Sequence, residues 1–156
     1  CALPIYTGSV ARLAAATHAW LHIVKPIGFA LEDKHLKRAG LDYWPNVRLS
    51  VHESLAAIEP LLPRDRTVLF TKRSERSFWS ANLNRGAVLV FGCESRGLPA
   101  DFVERWRGAT ASIPTTGNVR SLNLATAVGI GTYEVVRGIA ADQKFFHEAA
   151  GFSGQN

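Results

Sequence analysis

The sequence contains no methionine, two cysteines and no apolar run approaching the ~18 residues that span a bilayer. Each shortage excludes something. Cys1 and Cys93, one of them at the very terminus, make neither a disulfide framework nor a zinc site, so a reducing cytoplasm is the expected compartment. No segment has the pattern of a secretory signal. With Cys1 in first position and no methionine, the natural start is expected to be missing or altered, and the first strand incomplete. Neither a G-x-G-x-x-G turn after a strand nor a P-loop is present. The five histidines, at 18, 22, 35, 52 and 147, stand beside no strained nucleophile turn, and His22 reads as a core residue. Charged residues are also sparse, at 20% against a usual quarter.

What charge there is leans one way. Lys plus Arg is 18 against 13 for Asp plus Glu, a formal net charge of +5. That excess suits a polyanionic partner, because each neutralised phosphate releases condensed counterions. Cations cluster at Lys34, Lys37 and Arg38 and again at Lys72, Arg73 and Arg76. A solvated surface accounts for either cluster equally well.

At 156 residues and 47% hydrophobic, the chain suits one domain over 1–156, with a tail over 140–156. Apolar spacing predicts a helix over 8–17, with Val10, Leu13 and Ala14 on one face, and a buried strand over 20–24. A short helix over 31–39 pairs Asp33 with Lys37 and stops at Gly40. A strand over 47–51 and a helix over 53–62, ended by Pro63, follow. TVLFT (67–71) and AVLVF (87–91) are continuous and apolar, as strands of a parallel sheet are. Pro99 opens a helix to about Trp106, and 109–113 is a further strand. Ser121 is expected to cap the last helix, to about 138, with Leu122, Ala125, Val128, Val135 and Ile139 facing inward. Alternating strands and helices imply an α/β fold, a parallel sheet flanked by helices on both faces. Ligands of such sheets bind at the carboxyl ends of the strands, which directs attention to the loops after Thr71, Phe91 and Ile113.

Three polar segments carry the candidate chemistry. FGCESRGLP (91–99) has glycines that permit close backbone approach or positive φ, and it holds Glu94 and Arg96 at a strand's end. An ordinary strand–turn–helix connection would look the same. IPTTGNVRSLNL (113–124) offers Ser121 and Asn123 at a helix N-terminus, an electropositive place that favours carboxylate or phosphate. A plain cap explains Ser121 fully and Asn123 poorly. PIYTGSVAR (4–12) places Arg12 near the start of a helix, against the macrodipole. A bound phosphate, or an ion pair with Glu94 or Asp33, would each supply a reason.

Taken in order, these segments resemble the three motifs of the SPOUT methyltransferase superfamily. YTGSVARLAAAT resembles NTGNIxRxxxxT, FGCESRGLP resembles FGxExxGLP, and IPTTGNVRSLNLATA resembles IPM…RSLNLSxA. KPIGFALEDKHLKRAGLDYW is similar to a stretch of the TrmL-like (YibK-like) branch, which methylates the ribose of the tRNA wobble nucleotide. The resemblance covers about residues 4–137. It implies a C-terminal deep trefoil knot, a homodimer packed through the first and last helices, and S-adenosyl-L-methionine as methyl donor with no metal. The implied partner is tRNA, through its anticodon stem-loop. The implied donor contacts are Leu69, Gly97, Leu98, Ile113, Ser121 and Leu122. Arg12, Glu94 and Asn123 would be catalytic, and Asp42, Tyr43 and Tyr133 would hold the tRNA. A guanidinium is a poor base at neutral pH, so Arg12 is expected to clamp a phosphate and stabilise the developing alkoxide.

Some positions depart from the pattern. Tyr6 and Ser9 stand where the family has Asn, Thr115 where it has Met, and Thr126 follows LNLA where LNLS is typical. Two alternatives stay open at this point: 2′-O-methylation of another RNA, such as ribosomal RNA, and a catalytically impaired SAM- or RNA-binding module, to which Tyr6 points.

Overall fold

The computed structural model describes residues 4–26, 44–119 and 121–140. The expected helix over 31–39, the Asp33–Lys37 pair, the first basic cluster and the tail therefore lie outside the described residues. The described residues open with helix α1 (Pro4–Thr17), which starts four residues earlier than apolar spacing indicated, and the incomplete first strand expected ahead of it lies outside them. Its packed face is built from small side chains: Ala11 and Ala14 are buried, and α1 lies against the last helix, α4 (Leu124–Ala140). His18, at φ 54, ends α1 in the left-handed conformation that glycine usually supplies at such stops.

Strand β1 (Trp20–Val24) pairs in parallel with β2 (Arg48–His52), Trp20 opposite Arg48 through Val24 opposite His52. A second sheet is ordered β4–β3–β5, with β3 (Thr67–Phe70) central, β4 (Val88–Phe91) on one side and β5 (Thr110–Ala111) on the other, again parallel. Among the described residues the strands thus run parallel, as the alternating pattern implied, and fall into a two-stranded and a three-stranded ladder. Nor is β1 a buried strand, because Trp20 remains 62% exposed.

Strand periodicity of two divides the core around β3. Val68 and Phe70 point to one face, where Phe78, Leu83 and Ala111 join them under Ile130 and Val135 of α4. Leu69 points to the other, with Phe102 of helix α3 (Ala100–Arg105) and Trp106. Leu55 of the short helix α2 (Leu55–Ile58) packs against that second cluster. Helices therefore cover both faces of this sheet.

Several boundaries differ from the sequence reading for identifiable reasons. The helix expected over 53–62 breaks into α2, capped by Ser54, and a 3-10 turn (Glu59–Leu61). Pro60, not Pro63, ends the α-helical part, because a proline has no N–H to donate. Pro99 occupies the N-cap of α3 rather than its first turn. β5 is short because Ser112 turns to the preceding crossover instead, its N–H donating to the Arg76 carbonyl (2.8 Å) while its own carbonyl accepts from Phe78 (2.9 Å). No helix among the described residues is long and apolar enough to cross a membrane.

Candidate active site

All three loops that follow β3, β4 and β5 bend toward one place. After β3, the Thr71 N–H bonds the Ala111 carbonyl at 2.9 Å, and Thr71 Oγ1 accepts from the Arg73 N–H at 3.3 Å. This small turn leaves Lys72 and Arg73 exposed. After β4, the chain doubles back so that Gly97 N–H donates to the Cys93 carbonyl at 2.7 Å. Gly97 sits at φ 71, which a side chain would rarely tolerate. Gly92 is fixed by space: a Cβ there would lie 2.1 Å from the Gly97 carbonyl carbon and 2.3 Å from Leu98 N.

These loops and the start of α4 enclose a cavity of about 610 Å³, within the usual ~300–1,000 Å³ of small-molecule sites. Phe70, Phe91, Leu98, Ile113, Leu122 and Leu124 supply apolar wall, while Lys72, Arg73, Glu94, Arg96 and Ser121 supply charge and polar groups. Cys93 also faces the cavity, half-buried. Burial pushes its thiol up, but hydrogen bonds from the Arg96 backbone and the Ser95 hydroxyl help to outweigh that and bring it below its ordinary value. No group of three or more His, Cys, Asp or Glu able to hold a metal ion occurs among the described residues.

Of the residues singled out from the sequence, Glu94, Gly97, Leu98, Ile113, Ser121 and Leu122 all line this cavity. Asn123 stands directly behind it. Its Oδ1 accepts from the backbone N–H of Ala125 (2.9 Å) and Thr126 (3.3 Å), so its Nδ2 turns to Glu94 Oε1 at 3.5 Å. Asn123, and not Ser121, is therefore the cap of α4, and it ties the second loop to the third. Leu69 is not in the wall: it is fully buried with Phe102 and Trp106, and its neighbours Phe70 and Thr71 face the cavity instead. A one-residue step along a strand changes faces, so the Leu69 side chain turns away from the cavity that Phe70 lines. Arg12 lies exposed on α1 and Tyr133 is 56% exposed on α4, neither of them in the cavity wall. Asp42 and Tyr43 fall outside the described residues. Lys72 and Arg73, which the sequence leaves open between a polyanion-binding cluster and solvated surface, stand just past the carboxyl end of β3 and line the cavity.

A half-open cleft lined by aromatic and aliphatic side chains on one part and by Lys72, Arg73, Glu94 and Arg96 on another suits a small molecule with both apolar and charged portions. Comparison with known proteins narrows that class. Residues 4–133 match the SpoU rRNA Methylase family. The chain is 39% identical over 136 residues to the tRNA (cytidine(34)-2'-O)-methyltransferase of Methylovorus glucosotrophus, covering 86% of this chain and 88% of the relative. It is 38% identical over 139 residues to the tRNA (cytidine(34)-2'-O)-methyltransferase of Burkholderia cenocepacia, again covering 86% and 88%. Among solved structures, one described as giving structural insights into the 2-OH methylation of C/U34 on tRNA superposes with a TM-score of 0.79 at 47% identity, covering 89% of this chain and 91% of that one. With the match spanning most of its length and the three motif loops closing on one cavity, this chain belongs to the SpoU rRNA methylase family.

Proposed function

We propose that this protein methylates the ribose 2′-oxygen of the wobble nucleotide of tRNA, cytidine or uridine at position 34, using S-adenosyl-L-methionine. The observation that carries the reading is the convergence of the loops after β3, β4 and β5 on one 610 Å³ cavity. The relatives from Methylovorus glucosotrophus and Burkholderia cenocepacia, which share most of its length, are described as tRNA (cytidine(34)-2'-O)-methyltransferases. The residues present fit such a donor. Phe70, Phe91, Leu98 and Ile113 offer apolar surface to an adenine, and Arg96 and the N-terminal end of α4 offer positive potential to a carboxylate. When bound, the donor supplies an activated methyl group.

The protein's own part is alignment. Holding two reactants in a productive pose can supply ~7–11 kcal/mol of the barrier. Gly92 and Gly97 fold the second loop tightly enough for Leu98 to reach the wall, and Asn123 holds Glu94 in place at its rim. Arg12 clamps a substrate phosphate and stabilises the alkoxide as the 2′-hydroxyl loses its proton to phosphate or water. Because Arg12 lies outside the wall of its own chain's cavity, this role requires a homodimer in which α1 and α4 meet their counterparts across a two-fold axis. Tyr133, exposed on α4, and the DY pair Asp42 and Tyr43 belong to the tRNA-binding surface in this reading. A C-terminal trefoil knot, with the segment leading into α4 threaded through the preceding crossover, and a cytoplasmic location complete the proposal.

The test is direct. Purified protein is incubated with labelled S-adenosyl-L-methionine and bulk tRNA or ribosomal RNA, and the modified nucleoside is mapped. Label at the 2′-oxygen of nucleotide 34 supports the reading. Label confined to ribosomal RNA, or donor binding with no transfer to any RNA, overturns it.

A further inference from the structure

The crossover between β3 and β4 does more than close the cavity. Its first ten residues, 71–80, read TKRSERSFWS, with three cations, one carboxylate and an adjacent pair of aromatic rings. Phe78 is the anchor, 3% exposed in the core beneath α4. Trp79, next in the chain, is 68% exposed. A large indole left in solvent calls for a reason when the backbone around it is so firmly held.

That backbone is held at several points. The Trp79 N–H donates to Ser77 Oγ at 3.3 Å, the Ser80 hydroxyl donates to the Ser77 carbonyl at 2.9 Å, and the Arg76 guanidinium donates to the Ser80 carbonyl at 2.5 Å. The indole rests beside the Phe78 ring, with centroids 5.2 Å apart and planes inclined by 37°. The 3-10 turn Phe78–Ser80 therefore presents an indole whose position is set before anything binds. The same segment is lashed to the cavity. Ser112, a wall residue, exchanges backbone hydrogen bonds with Arg76 and Phe78 (2.8 and 2.9 Å), and Lys72 and Arg73 are themselves in the wall.

We propose that Trp79 is a stacking platform for an unpaired base of the RNA substrate, with Lys72 and Arg73 holding phosphates that flank it. This rests on the reading of the substrate as RNA. Single-stranded loops are recognised by splaying bases onto aromatic side chains, and a ring already fixed in place loses little entropy when a base lands on it. Lys72 and Arg73 precede that ring on the same crossover, and their charge, like the net charge of +5, has the sign complementary to a phosphate backbone. Trp79 is thus a positioning residue that sets how the substrate strand enters, and it takes no part in methyl transfer.

The experiment compares wild type, Trp79→Ala, Trp79→Phe and Trp20→Ala. Trp20 is the control: it is 62% exposed, and it lies in the other sheet, none of whose residues lines the cavity. Steady-state methylation is followed at varied tRNA concentration, and donor affinity is measured by calorimetry. Trp79→Ala is expected to raise KM for tRNA by about tenfold or more, the usual weight of one base–aromatic stack. The rate at saturating tRNA and the donor affinity stay at wild-type values, Trp79→Phe recovers most of the loss, and Trp20→Ala matches wild type. An unchanged KM in Trp79→Ala, an equal rise in Trp20→Ala, or a parallel loss of donor binding overturns the proposal. A wild-type protein that methylates no RNA would instead overturn the function on which it rests.

Discussion

Asn123 performs two tasks with the two ends of one amide, and the tasks can be separated by mutation. Its oxygen accepts from the N–H groups of Ala125 and Thr126, and its nitrogen faces Glu94 at 3.5 Å. Asn123→Ala deletes both. Loss of a helix cap costs about 1 kcal/mol, within a range of roughly 0.5–2. For a chain of 156 residues that lowers Tm by about 2–4 °C. Asn123→Asp keeps the acceptor, and a carboxylate at a helix N-terminus is favoured by the macrodipole, so the cap survives. What changes is its other end, where a second carboxylate now faces Glu94. Two like charges about 4 Å apart repel by about 1 kcal/mol in water and about 4 at an effective dielectric of 20. Glu94 is exposed, so the lower figure applies, enough to turn its side chain away from the rim. The expected pattern is a reduced Tm in Asn123→Ala, a near-normal Tm in Asn123→Asp, and reduced methylation in both. Thermal melting with an activity assay checks it. Asn123→Asp retaining full activity would show that orienting Glu94 is irrelevant, and equal melting of Ala and wild type would refute the cap.

Two further predictions concern stability. In α4, a Cβ at Gly131 would come within 3.1 Å of both Phe70 Cζ and Phe91 Cζ, whereas one at Gly129 meets nothing within 4 Å. Gly131→Ala is therefore expected to lose roughly 1–3 kcal/mol through overpacking, and Gly129→Ala to gain up to ~1 kcal/mol from helix propensity; equal effects in denaturant titrations would contradict the packing described. The Glu59 carboxyl is held below its ordinary value by hydrogen bonds from Arg105 and Trp106. A depressed carboxylate stabilises the fold above its unfolded pKa, and that contribution disappears as pH falls through the lower, folded value. Glu59→Gln should therefore lower stability at neutral pH and flatten its decline in acid, as urea midpoints measured at neutral and acid pH will show; parallel acid profiles would refute the network.

Much of this organisation was legible in the residues, and what was not failed for definite reasons. TVLF and VLVF read as strands because uninterrupted apolar runs have few other homes, and the motif loops then follow from where those strands end. Hydrophobicity does not say which surfaces meet, however. WLHIV is as apolar as a central strand, yet Trp20 stays in solvent, its Nε1–H on Ser50 Oγ at 3.0 Å and its ring stacked on His22. Leu69 and Phe70 are both strand residues of similar character, and only the pleat decides which one reaches the cavity. Ser121 and Asn123 are both good caps two positions apart. Asn123 takes the role where its amide also meets Glu94, a residue 29 positions distant. Contacts of that separation leave no trace in local spacing.

Phe70 and Phe91 stack on one another at 4.5 Å, and the same two rings floor the cavity while filling the core under α4. Evolution therefore cannot retune ligand grip at these positions without also renegotiating how well the last helix seats. On the opposite side, Phe102 and Trp106 carry no such double duty. A lineage can drift there toward heat tolerance or fragility and leave its catalytic habits intact. Directed-evolution libraries aimed at donor analogues would do well to fix the first pair of rings and harvest compensating stability from the second.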